Sequence, residues 1–232
     1  MKLPLPCLML VTDRRACKGR SLVNLVAAAV AGGVDAVQLR EKDLPSGELW
    51  ELAHKLRTVT RKRAILLIND RLDVALAVGA DGVHLPEDGL PEVAARKLGG
   101  PDLLIGRSVH SVERARQAAQ GGADYLVVGP IFPTASHPGI APAGPDLLTE
   151  IRQAVSVGAH GDAPLLLAIG GISRDNVAQV VAAGARGCAV ISAILGAPDP
   201  RRAARELKGA MLAAWKGAGG TPSPASSRGE AG

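Results

Sequence analysis

The sequence has almost no aromatic residues. Its 232 residues include two Trp, one Tyr and one Phe, which together make up 2% of the chain. Hydrophobic residues nevertheless make up 47%, so a large core has to be built from Val, Leu, Ile and Ala. Branched aliphatic side chains are typical of buried parallel strands and of the layers inside a closed barrel.

The sequence also lacks a cluster of basic residues. It has 27 Lys and Arg against 22 Asp and Glu, a formal net charge of +5, and the arginines are scattered along the chain. Nucleic-acid-binding proteins usually concentrate their basic residues and interleave them with aromatic ones. We therefore expect no nucleic-acid partner, and the moderate positive charge favours a small anionic molecule as the ligand.

Cysteine and long apolar segments are scarce as well. Cys7, Cys17 and Cys188 are an odd number without the spacing of a metal site, which is typical of incidental thiols in a reducing compartment. No apolar run reaches the length of a transmembrane helix, and residues 1–4 do not resemble a signal peptide. We expect a cytoplasmic protein without a membrane partner.

Apolar segments of strand length alternate with helix-like patterns eight times. This alternation predicts an α/β fold in which eight parallel strands close into a single (β/α)8 TIM barrel over residues 1–216. An open, doubly wound sheet is the alternative fold. Residues 217–232 are rich in Gly, Ser, Pro and Ala and are predicted to be a disordered tail. The predicted strands are 8–11, 34–39, 64–68, 83–85, 103–106, 125–128, 165–169 and 188–191.

The last two predicted strands end in small residues. Gly170 and Gly171 follow the first of them, and Ser192 follows the second. Glycines let backbone N–H groups approach a ligand closely, and barrels commonly bind phosphate at this place. We predict a phosphate site there, with Ser173 as the N-cap of the next helix. A tight turn that binds nothing is the alternative.

Polar residues also follow other strands, where buried parallel strands would otherwise stay apolar. Gln38, Arg40 and Lys42 alternate along an extended segment and therefore point the same way. Two cations and an amide on one face suit a polyphosphate ligand. The alternative for Arg40 is an internal ion pair with Glu41 or Asp70.

Two carboxylates that follow neighbouring strands are candidate metal ligands. Asp70 and Asp88 suit Mg2+ bridged to phosphate oxygens, because hard cations prefer carboxylate and phosphate ligands. Glu87 is the alternative to Asp88, and a helix N-cap is the alternative role of Asp70. The sequence contains no evident Ser/His/Asp triad or Cys/His pair, so the site is predicted to act by binding and charge stabilisation. The longest connection, 129–145, adds the polar residues Thr134, Ser136 and His137.

Six segments together resemble the thiamine phosphate synthase family over about residues 7–215. They are Gln38-Leu-Arg-Glu-Lys-Asp43, Ile68-Asn-Asp70, Ala80-Asp-Gly-Val-His-Leu85, Gly129-Pro-Ile-Phe-Pro-Thr134, Ala168-Ile-Gly-Gly-Ile172 and Val190-Ile-Ser-Ala193. The resemblance implies a transferase that joins 4-amino-5-hydroxymethyl-2-methylpyrimidine diphosphate to hydroxyethylthiazole phosphate or its carboxylate. The products are thiamine phosphate and pyrophosphate, and the implied cofactor is Mg2+.

The resemblance also implies roles for individual residues. Arg40, Lys42 and Ser108 would be catalytic, and Asp70 and Asp88 would hold Mg2+. The implied mechanism is dissociative: pyrophosphate leaves before the thiazole nitrogen attacks the pyrimidine-methyl cation. The pyrimidine diphosphate would be bound by Gln38, Leu39, Arg40, Glu41, Lys42, Asn69, Ser108 and His137. The thiazole phosphate would be bound by Thr134, Ala135, Ser136, Gly171, Ile191 and Ser192.

Two departures from the family pattern keep alternatives open. The segment Pro86-Glu87-Asp88-Gly89 is one residue shorter before its Asp than usual, and His137 stands where the family usually has Lys. Gly106-Arg-Ser-Val-His-Ser111 resembles the related thiazole tautomerase branch, although Pro130 occupies the place of that branch's catalytic histidine. A tautomerase and a non-catalytic phosphate-binding barrel are therefore the alternative functions, and a homo-oligomer is left open.

Overall fold

The computed structural model describes residues 2–134, 139, 141–155, 158 and 162–224. Its eight parallel strands are β1 (Cys7–Val11), β2 (Ala36–Leu39), β3 (Ile65–Asn69), β4 (Gly82–Leu85), β5 (Leu104–Val109), β6 (Tyr125–Val128), β7 (Leu165–Ile169) and β8 (Gly187–Val190). Each strand pairs with its neighbours in sequence, and β8 pairs with β1 to close the barrel. The predicted (β/α)8 barrel is confirmed, and the open sheet is excluded.

Helices cover the outside of the barrel. They are α1 (Leu22–Ala31), α2 (Ser46–Thr60), α3 (Leu72–Ala77), α4 (Glu92–Gly99), α5 (Val112–Gly121), α6 (Asp146–Ala154), α7 (Val177–Ala182), α8 (Ser192–Leu195) and α9 (Pro200–Gly217). A 3₁₀ turn, Arg14–Cys17, precedes α1. The sequence analysis did not predict this turn or α8, because each spans only four residues.

Side chains of the strands alternate between two separate cores. In β1, Leu8 and Leu10 pack against the helices, whereas Cys7, Met9 and Val11 point into the barrel. The interior core is small and mostly aliphatic, and the ring of Tyr125 is its one aromatic side chain among the described residues. This period-two alternation decides which residues at each strand end can reach the inside of the barrel.

The prediction that Ser173 caps the helix after the glycine pair is wrong. The helix α7 begins at Val177, and its N-cap residue is Asn176. The Asn176 side-chain oxygen accepts a hydrogen bond from the backbone N–H of Ser173 at 2.8 Å, so Asn176 closes the turn that the sequence pattern had assigned to helix. A side chain that binds nearby backbone competes with helix formation in this way.

The predicted disordered tail differs from the structure over residues 217–224. Gly217 is the last residue of α9. Ser223 pairs with Leu5 in an antiparallel bridge, with backbone hydrogen bonds of 3.0 and 2.9 Å. This pairing ties the start of the tail to the N-terminal segment, and residues 225–232 lie outside the described part. None of the described helices combines the length and apolar character needed to cross a bilayer.

Candidate active site

A cavity opens at the carboxyl ends of the strands, where enzymes with this barrel place their active sites. Its lining combines polar side chains from β2 to β5 with glycines and small residues that follow β6 to β8. The lining residues include Gln38, Arg40, Lys42, Asn69, His84, Glu87, Ser108, His110, Thr134, Gly170, Gly171, Ile191 and Ser192.

Most of the predicted substrate-binding residues line this cavity, and two do not. Leu39 is fully buried in the core between the barrel and its helices. Glu41 is also buried, and its carboxylate accepts hydrogen bonds from the backbone and the side chain of Arg14. Both alternate with the residues that face inward, which is why they point away from the cavity. Ala135, Ser136 and His137 lie outside the described residues.

The residues that follow β2 bring two cations to the cavity. The backbone N–H of Arg40 donates to Thr12 Oγ1 at 2.9 Å, which fixes the direction of the chain as it leaves the strand. Neither Arg40 nor Lys42 forms an ion pair with a carboxylate of the described residues. The predicted alternative, an ion pair of Arg40 with Glu41 or Asp70, is therefore wrong. Both cations remain available to an anionic ligand.

Two buried amides lie below these cations. Gln38 Nε2 donates to Asn69 Oδ1 at 3.4 Å across the neighbouring strands β2 and β3. Gln38 is 2% exposed and Asn69 is 9% exposed, so this pair forms a polar floor in an otherwise aliphatic barrel. The remaining N–H and C=O groups of the two amides can bind polar atoms of a ligand.

Asp70 follows Asn69 and has an unusual backbone conformation. Its φ is +65°, a left-handed conformation that is uncommon for a residue other than glycine. Its backbone N–H donates to the carbonyl oxygen of His84 at 2.8 Å, whereas its carboxylate makes no hydrogen bond or ion pair with the described residues. The α3 helix has no side-chain cap, so the alternative role of Asp70 as an N-cap is wrong.

Neither of the two predicted metal ligands, Asp70 and Asp88, is part of the cavity lining, and both are exposed. The Asp88 side chain is 84% exposed, and one of its oxygens accepts from Arg114 Nη2 at 3.0 Å. Glu87 lines the cavity instead. The Glu87 carboxylate accepts from the backbone N–H of His110 at 3.0 Å and lies 3.2 Å from the imidazole Nδ1 of the same residue. The described residues contain no group of three His, Cys, Asp or Glu side chains close enough to enclose a metal ion.

Arg107 determines the path of the segment that carries Glu87 and Asp88. It is 6% exposed, its Nε donates to Glu92 at 2.6 Å, and its two Nη groups donate to the carbonyl oxygens of Pro86 and Leu90 at 2.5 and 2.6 Å. One side chain on β5 therefore holds both ends of the shortened segment. This structural role of Arg107 was not predicted from the sequence.

The phosphate site predicted after β7 has a backbone that only glycine tolerates well. Gly170 and Gly171 have φ values of +99° and +63°. A Cβ atom on Gly171 would lie 2.4 Å from the carbonyl oxygen of Pro133, because the segment after β6 crosses directly over the glycine pair. The glycines therefore make this crossing possible and also leave open backbone at the cavity surface.

A half-buried arginine supports the segment after β8. Arg20 donates to the carbonyl oxygens of Leu195 and Ala197 near the end of α8, at 2.5 and 2.8 Å, and to Cys17 at 3.1 Å. Because Ser192 begins α8, these bonds help to hold its position at the cavity. A positive side chain is favourable near the C-terminal end of a helix.

A chain of hydrogen bonds inside the barrel was not predicted from the sequence. His84 Nδ1 lies 3.2 Å from the Tyr125 hydroxyl, and His84 Nε2 lies 2.8 Å from Ser108 Oγ. Burial, together with the charges of Arg107 and Arg40, lowers the pKa of His84 to about 3, so the imidazole is neutral at pH 7. Burial also raises the pKa of Tyr125, which keeps its hydroxyl protonated. The one indication in the sequence was His84 itself, a polar residue between the apolar residues of the short strand β4.

The fold and the site together define an enzyme class. A closed (β/α)8 barrel carries, at one end, two cations without an ion-pair partner in the described part of the chain, two buried amides and a glycine-lined pocket, which is the arrangement of a barrel enzyme acting on phosphorylated small molecules.

The comparisons with known proteins identify the family within that class. The model of the family described as thiamine monophosphate synthase matches residues 8–194. The chain is 49% identical to a thiamine-phosphate synthase of Roseiflexus castenholzii, over 85% of this chain and 84% of that protein. It is 47% identical to one of Syntrophomonas wolfei, over 87% and 94%. A thiamine phosphate pyrophosphorylase structure from Pyrococcus furiosus superimposes with a TM-score of 0.79 at 39% identity, covering 90% of this chain and 96% of that one. The chain belongs to the thiamine monophosphate synthase family.

Proposed function

We propose that this chain is a thiamine phosphate synthase. It joins the methylene carbon of 4-amino-5-hydroxymethyl-2-methylpyrimidine diphosphate to the ring nitrogen of hydroxyethylthiazole phosphate and releases pyrophosphate. The observation that carries this proposal is that Arg40 and Lys42, which have no ion-pair partner among the described residues, line the same cavity as Gly170 and Gly171. Two anionic groups can thus be held at opposite sides of one site.

The pyrimidine diphosphate lies on the side formed by β2, β3 and β5. Arg40 and Lys42 bind the diphosphate, and Gln38 and Asn69 bind polar atoms beneath it. Ser108 reaches the same substrate from β5. Leu39 and Glu41 are not included, because they lie outside the cavity lining. For Ala135, Ser136 and His137, the roles implied by the resemblance remain predictions.

The thiazole phosphate lies on the opposite side. Gly171 presents open backbone, and Ile191 and Ser192 begin the segment that Arg20 supports from behind. Thr134 reaches the same pocket from the crossing segment after β6. Backbone N–H groups and a hydroxyl are suitable ligands for a phosphate monoester.

The donor set fits Mg2+ bound together with substrate. Mg2+ is usually held by one or two carboxylates, waters and substrate phosphates rather than by a complete protein cage. Asp70 is exposed and directly follows the lining residue Asn69, and its carboxylate, which has no partner among the described residues, would hold the ion. Glu87, which lines the cavity, replaces Asp88 as the second candidate. When bound, the ion neutralises charge on the diphosphate.

The side chains favour a dissociative reaction. Arg40 and Lys42 stabilise the negative charge that builds on pyrophosphate as its bond to the methylene carbon breaks. The glycine-lined pocket holds the thiazole nitrogen where it can attack the pyrimidine-methyl cation. The reaction needs no general base, since the attacking nitrogen carries no proton that must be removed. This agrees with a buried, neutral His84 in place of a catalytic triad.

The test is an assay of the purified full chain with both substrates and Mg2+. We expect thiamine phosphate and pyrophosphate to form in equal amounts, and chelation of Mg2+ to stop both. Formation of neither product would contradict the proposal. Isomerisation of the thiazole phosphate carboxylate without the pyrimidine substrate would instead support the tautomerase.

We also propose that the protein is cytoplasmic and acts on small phosphorylated molecules rather than on nucleic acid or membranes. Its three cysteines are buried and free, as expected in a reducing compartment.

A further inference from the structure

The hydrogen-bonded chain of Tyr125, His84 and Ser108 is built across three adjacent strands. In the register of the barrel, His84 on β4 pairs with Gly106 on β5, and Gly106 pairs with Tyr125 on β6. A Cβ atom on Gly106 would lie 2.0 Å from Tyr125 Cζ, so only a glycine lets the tyrosine ring cross β5. The hydroxyl then reaches His84, and Ser108, two residues along β5, faces the same interior.

The number of donors and acceptors determines which way these bonds run. Tyr125 is fully buried, and its hydroxyl has no other hydrogen-bond partner among the described residues. If His84 Nδ1 carried the proton, the Tyr125 proton would be left buried without an acceptor, which is costly. If Tyr125 donates to Nδ1, the proton of the neutral imidazole is on Nε2, and Nε2 donates to Ser108 Oγ.

We propose that Tyr125 and His84 are positioning residues that make Ser108 a hydrogen-bond donor to the bound pyrimidine diphosphate. This rests on the proposed function, which places that substrate against Ser108. With one lone pair of Ser108 Oγ occupied by His84 Nε2–H, the serine proton cannot be given to the histidine. It is therefore directed to the cavity, where the substrate offers phosphate oxygens and ring nitrogens as acceptors.

The direction of the hydrogen bonds in the chain of Tyr125, His84 and Ser108 can be determined without an activity measurement. Nitrogen-15 NMR of the full chain distinguishes protonated from unprotonated ring nitrogens, and His84→Asn identifies the His84 signals among the five histidines. We expect an unprotonated Nδ1 and a protonated Nε2 at pH 7. A protonated Nδ1 would overturn the proposal, whether or not the chain makes thiamine phosphate. Absence of activity with the expected NMR result would contradict only the proposed function.

A double-mutant cycle tests the route of action. Tyr125→Phe removes only the hydroxyl, and we expect it to lower kcat/KM for the pyrimidine diphosphate about tenfold, as for loss of one hydrogen bond to a charged partner. Ser108→Ala should lower it at least as much. In the Ser108→Ala background, Tyr125→Phe should have no further effect, because its contribution passes through Ser108. If the two substitutions lowered kcat/KM independently, so that the loss in the double variant equalled the product of the single losses, the proposal would be overturned.

Thr60→Val is the matched control. Thr60 is fully buried like Tyr125, but its hydroxyl donates to the Leu56 carbonyl within α2, away from the cavity. This variant should lose some stability and keep kcat/KM unchanged. An equal loss of kcat/KM in Thr60→Val and Tyr125→Phe would show that the tyrosine effect is only structural and would overturn the proposal.

Discussion

The two sides of the cavity present different parts of the chain. The side-chain wall consists of long or polar side chains, those of Gln38, Arg40, Lys42, Asn69 and Ser108. The backbone wall consists of Gly170, Gly171, Ile191 and Ser192, and its two glycines leave the main chain open. The first wall should depend on the chemistry of its side chains, and the second on the space around its backbone.

The largest effect should come from Arg40→Ala on the side-chain wall. The substitution removes an unpaired cation, and we expect kcat to fall about a hundredfold, which is typical for the loss of one electrostatic contact in a transition state. Arg61→Ala, an exposed arginine at the end of α2, is the control and should keep full activity. If Arg40→Ala kept near-normal turnover with both substrates, the side-chain wall would not depend on the chemistry of its side chains, and the proposed difference between the two walls would be wrong.

Gly171→Ala should damage the backbone wall. The new Cβ would collide with the Pro133 carbonyl, and the positive φ would be strained at a cost of about 1–3 kcal/mol. We expect KM for the thiazole phosphate to rise about tenfold, equivalent to about 1.4 kcal/mol of binding. KM for the diphosphate should change little.

Gly209→Ala is the control for this substitution. Gly209 lies inside α9 with open space around its Cβ position, and the added methyl should stabilise the helix by about 0.5–1 kcal/mol. Equal rises in both KM values for Gly171→Ala would show that the two walls are not separable.

His84, which is hydrogen-bonded to Ser108 of the side-chain wall, should make the fold sensitive to acid. The folded chain lowers the pKa of His84 to about 3, whereas the unfolded residue titrates near 6.5. Between these values the unfolded state binds more protons, so the free energy of unfolding falls as pH falls, by up to about 1.4 kcal/mol per pH unit. Urea unfolding of His84→Asn should have a shallower pH dependence. If the free energy of unfolding had the same pH dependence in both proteins, the lowered pKa of His84 would be contradicted.

The smallest effect should come from Asp88→Asn. Its ion pair with Arg114 is exposed and contributes at most about 1 kcal/mol, so we expect activity and its Mg2+ dependence to be unchanged. Glu87→Gln should raise the Mg2+ concentration that gives half-maximal activity. A larger Mg2+ effect for Asp88→Asn than for Glu87→Gln would restore Asp88 as the metal ligand.

Local patterns in the sequence were enough to predict the barrel and much of the side-chain wall. The alternation of strands and helices along the chain predicts the barrel topology. Once β2 is located, its period-two alternation predicts that Gln38, Arg40 and Lys42 face the cavity. Leu39 and Glu41 lie between them and face away. Glu41 was nevertheless assigned to the substrate through the resemblance. Its partner, Arg14, lies 27 residues earlier in a 3₁₀ turn that was not predicted.

Contacts between distant segments were the features that could not be predicted. Asp88 lies outside the cavity and pairs with Arg114, 26 residues later on α5, while Arg107 on β5 holds the segment that carries Asp88. The hydrogen bond between Tyr125 and His84 spans 41 residues and depends on Gly106, which in the sequence is an ordinary glycine in a strand. A single sequence contains the residues of such a network, but it does not contain the register of the strands that brings them together.

Arg40 and Lys42 have no ion-pair partner in the described part of the chain, and under the proposed function this has a consequence for the rate of turnover. Cations that would attract pyrophosphate as it leaves the pyrimidine would also hold it after thiamine phosphate has formed. Since no carboxylate of the described residues competes for Arg40 or Lys42, the departing anion has to be displaced by water or by the next diphosphate. Removal of pyrophosphate by a hydrolase in the same compartment would therefore speed the enzyme, and accumulation of pyrophosphate would inhibit it.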